Sequence, residues 1–303
     1  MSQYYAGKQW AAAMLEKAAA EQQEFDALFA GETTSAKGSR GVLVAEGDSW
    51  FDYYPLSNRD ILKWLRKKHG FEVREAGPRR GNTLYSMVTD PSQLGRVYDC
   101  LEDLREDGKT PRGILLSAAG NDIADKEPLM ALLNHKTSGL PPLKDPEVDQ
   151  FISTHLKNLL LRWIGSVDEF CNQAFGHVIP IFVHGYAKPV PDGDAFGWDL
   201  IGAFPGPWLK PAFEALGYWD DVLEEQALQS TTVIIGEMID RFNAMLAGVD
   251  SEISHVHHVD FRPVLSNRLP DGYKEDWANE LHPEKRGFKD LARAMAERIE
   301  SVL

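Results

Sequence analysis

Ser49 stands in the run Gly47-Asp48-Ser49-Trp50, and His282 stands far downstream in Asn279-Glu280-Leu281-His282-Pro283. A serine hydroxyl is a weak nucleophile at neutral pH and needs an adjacent base, itself oriented by a third group. An imidazole of near-neutral pKa can take the Ser49 proton and later hand it to a leaving group. Between the two lie Gly81-Asn82-Thr83 and Gly120-Asn121-Asp122. The backbone N–H groups of Ser49 and Gly81 and the side-chain amide of Asn121 are suited to hold a tetrahedral oxyanion. Losing one such donor typically slows a reaction on the order of 10²–10³-fold. Together these residue types spell acyl transfer from an ester or a related acyl compound.

Each signature also has a plainer explanation. Gly-Asp-Ser is an ordinary turn with a serine N-cap, His282 a polar residue before a helix-opening proline, Gly81 a loop glycine and Asn121 an Asx turn. Their placement argues for the chemistry. Short β-rich apolar runs at 41–47, 70–77, 113–120, 177–185 and 255–261 predict five strands. Helical patterns fill about 58–69, 82–106, 147–175, 222–247 and 284–302. Strands alternating with helices imply parallel βαβ units and an α/β fold. The site of an open parallel sheet lies beyond the carboxyl ends of its strands, where the serine and the glycine blocks fall in succession. Ser49, read as lying between a strand and a helix, would project its Oγ from the sheet with helix N–H groups nearby. His184 and Tyr186 follow the fourth strand and are expected to line a pocket. Trp50, Phe51, Tyr53, Tyr54, Trp198 and Trp208 are candidates for its apolar wall, ordinary core packing being open for each.

Taken in order, GDSW, the glycine block GNT, the GND block and the late HP block resemble the SGNH (GDSL-type) hydrolase superfamily over residues 41 to about 290. The resemblance implies a flavodoxin-like three-layer α/β/α sandwich with a five-stranded parallel sheet, no metal and no cofactor, and ester hydrolysis through an acyl-enzyme. It carries over Ser49 as nucleophile and first oxyanion donor, Gly81 and Asn121 as further donors, and His282 as base. It makes Asp48 structural. Two positions depart from the pattern. Ala119 replaces the first glycine of the usual Gly-x-Asn-Asp block. Asn279 stands where the family has Asp, three residues before the histidine. An Asn oxygen can accept the imidazole N–H and fix the ring, though it brings no charge. Asp276 is the alternative orienting acid and Glu280 a third choice, and some members of the superfamily work as dyads.

The 303 residues, 43% of them hydrophobic, suffice for one enlarged domain over 36–303 with cap-like insertions near 124–146 and 186–221. The second insertion is rich in proline, glycine and tryptophan, and substrate specificity is expected there. Residues 1–35 read as a helical extension, with Trp10, Met14, Leu15 and Ala18 on one face, able to cover an apolar surface or to make a homo-oligomer. A net charge of −14 argues against nucleic acid and favours a small-molecule ester as partner. No apolar run reaches membrane-spanning length, and the amino terminus lacks the apolar core of a secretory signal, so a cytoplasmic protein is expected. The 2 cysteines, Cys100 and Cys171, match neither a disulfide framework nor a metal spacing. His255, His257 and His258 divide between the two faces of a strand, and no metal site is predicted. The expected activity is that of an esterase or lipase-like enzyme. A lysophospholipase or thioesterase is the neighbouring alternative, and a catalytically weak ligand-binding protein on the same fold the more distant one.

Overall fold

The computed structural model describes residues 40–53, 60–195 and 206–303. The N-terminal extension, Tyr54 and Trp198 lie outside the described residues. The elements are β1 (Val42–Gly47), α1 (Ile61–His69), β2 (Glu72–Glu75), α2 (Leu84–Thr89), α3 (Pro91–Glu106), β3 (Gly113–Ser117), α4 (Lys126–Ala131), α5 (Asp145–Asp149), α6 (Lys157–Phe175), β4 (Ile181–Gly185), α7 (Lys210–Ala215), α8 (Glu224–Glu252), β5 (Val256–Asp260) and α9 (Lys285–Val302).

All five strands pair in parallel in the order β2-β1-β3-β4-β5, the flavodoxin-like order. Composition explains the order. The runs VLVAEG, GILLS and IFVHG are buried throughout and take the three central places. The polar runs EVRE and VHHVD, only partly buried, take the two edges. Because β2 lies on one side of β1 and β3 to β5 on the other, right-handed crossovers send α1 to one face and α3, α6 and α8 to the opposite face. The packing agrees: α9 lies against α1, α3 against α6, and α8 against β4 and β5.

Local chemistry sets the helix boundaries. Asp60 caps α1, its carboxylate accepting from Lys63 N at 2.7 Å. The single helix predicted over 82–106 is two, α2 and α3, because Pro91 lacks an N–H and disfavours helical geometry at Asp90, which closes one helix and caps the next. The helix expected after Ser49 is absent at that point. Residues 48–52 form a turn, with Phe51 N and Asp52 N both donating to Asp48 O, and α1 starts only at Ile61. Among the described residues no helix is long and apolar enough to cross a membrane.

The carboxyl end of β1 packs tightly against that of β3 and against the turn that follows β1 itself. A methyl group on Gly47 would lie 2.8 Å from Ser117 Cβ, 2.9 Å from Phe51 Cδ2 and 3.0 Å from the Ser117 carbonyl oxygen. Gly47→Ala should therefore lower stability by about 1–3 kcal/mol and Tm by roughly 3–10 °C. Thermal unfolding followed by circular dichroism checks this, and an unchanged Tm would contradict the close approach.

Candidate active site

The sheet order β2-β1-β3 makes the crevice beyond β1 and β3 the topological switch point of the sheet. Ser49 lies in the turn after β1, and Ala119 to Asn121 lie in the loop after β3. His282 arrives from a loop before α9, held by Ala278 N donating to His282 O at 2.9 Å and by a bridge between Trp277 and Pro283.

Ser49 Oγ and His282 Nε2 are 2.8 Å apart, and His282 Nδ1 is 2.9 Å from Asn279 Oδ1. Both side chains are nearly buried, Ser49 at 8% and His282 at 7% exposure, so this contact is shielded from bulk water. The protons on it can be assigned. Asn279 Oδ1 accepts the backbone N–H groups of Leu281 (3.1 Å) and His282 (3.0 Å), so that atom is oxygen. His282 Nδ1 must then donate to it, which leaves Nε2 as the lone-pair nitrogen facing the Ser49 hydroxyl. Asn279 Nδ2 donates to Tyr53 OH at 3.3 Å, completing the asparagine's set of partners. The imidazole is packed between Tyr53, with ring centroids 4.5 Å apart, and the edge of Trp208 at 5.5 Å. Burial pushes its pKa down to about 3, with no carboxylate at hand to oppose it.

The two carboxylates considered as orienting acids are engaged elsewhere. Asp276 Oδ2 accepts from Ser266 N at 2.8 Å. Glu280 turns away from His282 and collects four backbone N–H groups, those of Gly193 (3.1 Å), Trp208 (2.6 Å), Leu209 (2.7 Å) and Lys210 (2.9 Å). It is 1% exposed and holds both ends of the 193–210 segment against the histidine loop. Its short distance from His282 in sequence gave no hint of this.

Asp48, beside the serine, is 2% exposed. Its Oδ1 accepts from Ser117 Oγ at 2.6 Å and Trp50 N at 3.0 Å, and its Oδ2 from the Tyr186 hydroxyl. Burial raises its pKa to about 6 against the pull of these donors. Tyr186 OH in turn accepts Gly120 N at 3.2 Å, tying the loop after β3 to the turn after β1. His184, expected to line the pocket, is fully buried: Nε2 contacts Ser117 Oγ at 2.7 Å, and the ring packs against both Trp50 and Phe261. It is a core residue, kept neutral by a pKa pushed down to about 3.

Asn121 Nδ2 spends one of its two N–H groups on Asn82 O at 2.9 Å, and Asp122 accepts from Leu84 N and Tyr85 N at the start of α2. Asn82 Nδ2 donates to Gly47 O at 3.1 Å. Gly81 holds φ 80° in this exposed loop, a conformation open to glycine. Ala119 holds φ 82°, where an alanine carries strain of about 1 kcal/mol or more. That conformation is the physical reason for a glycine at this place. Ala119→Gly should therefore stabilise the fold by about 0.5–1 kcal/mol, the strain relieved outweighing the chain entropy a glycine adds. Denaturant unfolding measures it, and a loss of stability would contradict the reading of this loop.

A cavity with about 80 Å³ of room for the centres of water-sized spheres opens beside Ser49 between the 119–124 loop and α8; Trp50 and Tyr186 also line it. Of the histidines 255, 257 and 258, the first pairs with Asp168 at 2.9 Å, the second packs on Phe182, and the third meets Asn243 Oδ1 at 2.9 Å. Among the described residues no group of three or more His, Cys, Asp or Glu is placed to hold a metal ion.

No protein-family model matches the chain, and no curated protein matches it. Solved structures do resemble it. A native aryl esterase of M. smegmatis is similar at 16% identity and TM-score 0.48, with 87% of this chain and 100% of that chain covered. A carbohydrate acetylesterase from Sinorhizobium meliloti is similar at 11% identity and TM-score 0.47, with 87% and 100% covered. A GDSL-like lipase from Bacteroides thetaiotaomicron is similar at 14% identity and TM-score 0.41, with 95% and 100% covered.

The geometry around His282 yields its own test. An aspartate at 279 can accept the same three N–H groups, and its charge 2.9 Å from Nδ1 favours the imidazolium. Asn279→Asp should raise the pKa of His282 by at least one unit, seen by NMR titration of the ring. A pKa that stays put would mean that residue 279 does not face the imidazole.

Proposed function

We propose that the protein is a serine hydrolase that cleaves carboxylic esters through an acyl-enzyme on Ser49. One observation carries the proposal: the continuous hydrogen-bonded line from Ser49 Oγ through His282 to Asn279, in which the asparagine's other partners fix the tautomer that makes Nε2 a base.

In this reading Ser49 Oγ attacks the ester carbonyl as its proton passes to His282 Nε2. The second Asn121 N–H, with the backbone N–H groups of Ser49 and Gly81, receives the oxyanion. The imidazolium then protonates the leaving alcohol. Water, deprotonated by the same nitrogen, releases the acid and restores the serine. Asn279 orients the ring, as an asparagine does in papain-like sites, and lends no charge to the imidazolium. The buried Asp48 carboxylate would oppose an oxyanion so near it; the two hydroxyls and one N–H it accepts spread its charge away from Ser49.

The uncharged Asn279 and the low pKa of His282 favour a second reading, in which the pocket binds an ester or acylated ligand without turning it over. Intact-protein mass after treatment with a fluorophosphonate separates the two. The hydrolase reading expects a single adduct on the wild type, none on Ser49→Ala, and hydrolysis of p-nitrophenyl esters that Ser49→Ala abolishes. A folded wild type that takes no adduct would overturn it in favour of binding alone.

A further inference from the structure

The cavity beside Ser49 is one-sided, and its side has chemical meaning. Among the described residues its walls include Ser49, Asn121 and, from the histidine loop, Trp277 and Leu281, but not His282 itself, whose ring is covered by Tyr53 and Trp208. In the acyl-transfer sequence the leaving oxygen must lie within reach of His282 Nε2, because that nitrogen protonates it. The carbonyl oxygen must lie against Asn121. The remaining substituent on the carbonyl carbon, the acyl chain, therefore points away from His282, and the cavity is the space on that side.

Its chemistry is uniform. Beyond the serine the walls are Ile123 and Ala124 from the loop after β3, Leu209 at the start of α7, and Ile235, Met238 and Phe242 from one face of α8. Asp48 is the one acidic or basic side chain among the lining residues, and both of its oxygens are engaged by hydroxyl donors. Among the described residues no lysine or arginine lines the cavity to receive a carboxylate or phosphate, and the α8 face supplies no donor for sugar hydroxyls. Resting on the hydrolase reading above, we infer that this cavity is an acyl-chain site for neutral aliphatic acyl groups, and that the α8 face is its specificity-determining wall. The leaving group is held outside it, on the His282 side.

Burial of a methylene in such a pocket is worth about threefold to fourfold in kcat/KM. In a series of p-nitrophenyl esters from acetate to octanoate, kcat/KM should climb by about that factor per methylene until the pocket is full. Filling the cavity from either wall should reverse the preference. Met238→Trp acts from α8, and Ala124→Phe acts from the half-buried opposite loop, where a larger side chain is easier to fold around. Each variant should lower the ratio of kcat/KM for octanoate to that for acetate at least thirtyfold while still taking a fluorophosphonate adduct. A labelled wild type with a flat or falling chain-length profile would overturn the acyl assignment and leave the hydrolase reading standing. So would two labelled variants whose octanoate-to-acetate ratio equals that of the wild type. A wild type that takes no label would remove both together.

Discussion

The carboxylate of Asp48 is where three strand ends meet. It receives a hydroxyl from Ser117 at the end of β3, a hydroxyl from Tyr186 just past β4, and the N–H of Trp50 in its own turn after β1. An ionisable group this deep is unfavourable unless every lone pair is occupied. Its position is thus set by donors from separate strands, and Ser49 follows it by one residue. The same network extends through Tyr186 to Gly120 and through Ser117 to His184. In the proposed reaction Ser49 needs placement to within a fraction of an ångström, and the adjacent buried carboxylate fixes the turn that carries it.

Much of the architecture was legible in the chain. Central and edge strands differ in apolar content, so VLVAEG, GILLS and IFVHG announce themselves as interior and EVRE as peripheral. The break at Asp90-Pro91 was legible too, since proline bars helical geometry from the residue before it, but periodicity alone ran across it. The turn following Ser49 was harder to foresee, because a strand, a glycine and a downstream amphipathic segment look the same whether the helix starts at once or at Ile61.

At the site, residues whose partners are close in sequence were the easier ones. Asn279 and His282 are three apart and share a tight loop, so their contact could be anticipated. Glu280, Asp48 and His184 could not be placed, since their partners lie 70 or more residues away for Glu280, 69 and 138 for Asp48, and 67 for His184. A histidine after a strand reads as a pocket residue, and only tertiary packing against Trp50 and Phe261 shows it to be core. Ala119 is the opposite case: its positive φ turns an apparently harmless departure from a glycine motif into a strained backbone position.

Glu280 bonds the 193–210 segment through main-chain amides alone, with no side chain of that segment taking part in the four contacts. Every non-proline residue presents the same N–H. The four bonds themselves therefore depend on the main chain at 193, 208, 209 and 210 and not on side-chain chemistry there. A change of side chain at 208 would alter what covers the His282 ring without removing a hydrogen bond of the clamp. For engineering, the clamp tolerates a change of side chain at 208 provided that Glu280 stays and no proline falls at 193, 208, 209 or 210, whereas Gly193, at φ 90° and with room for no Cβ beside Lys210, is held to glycine.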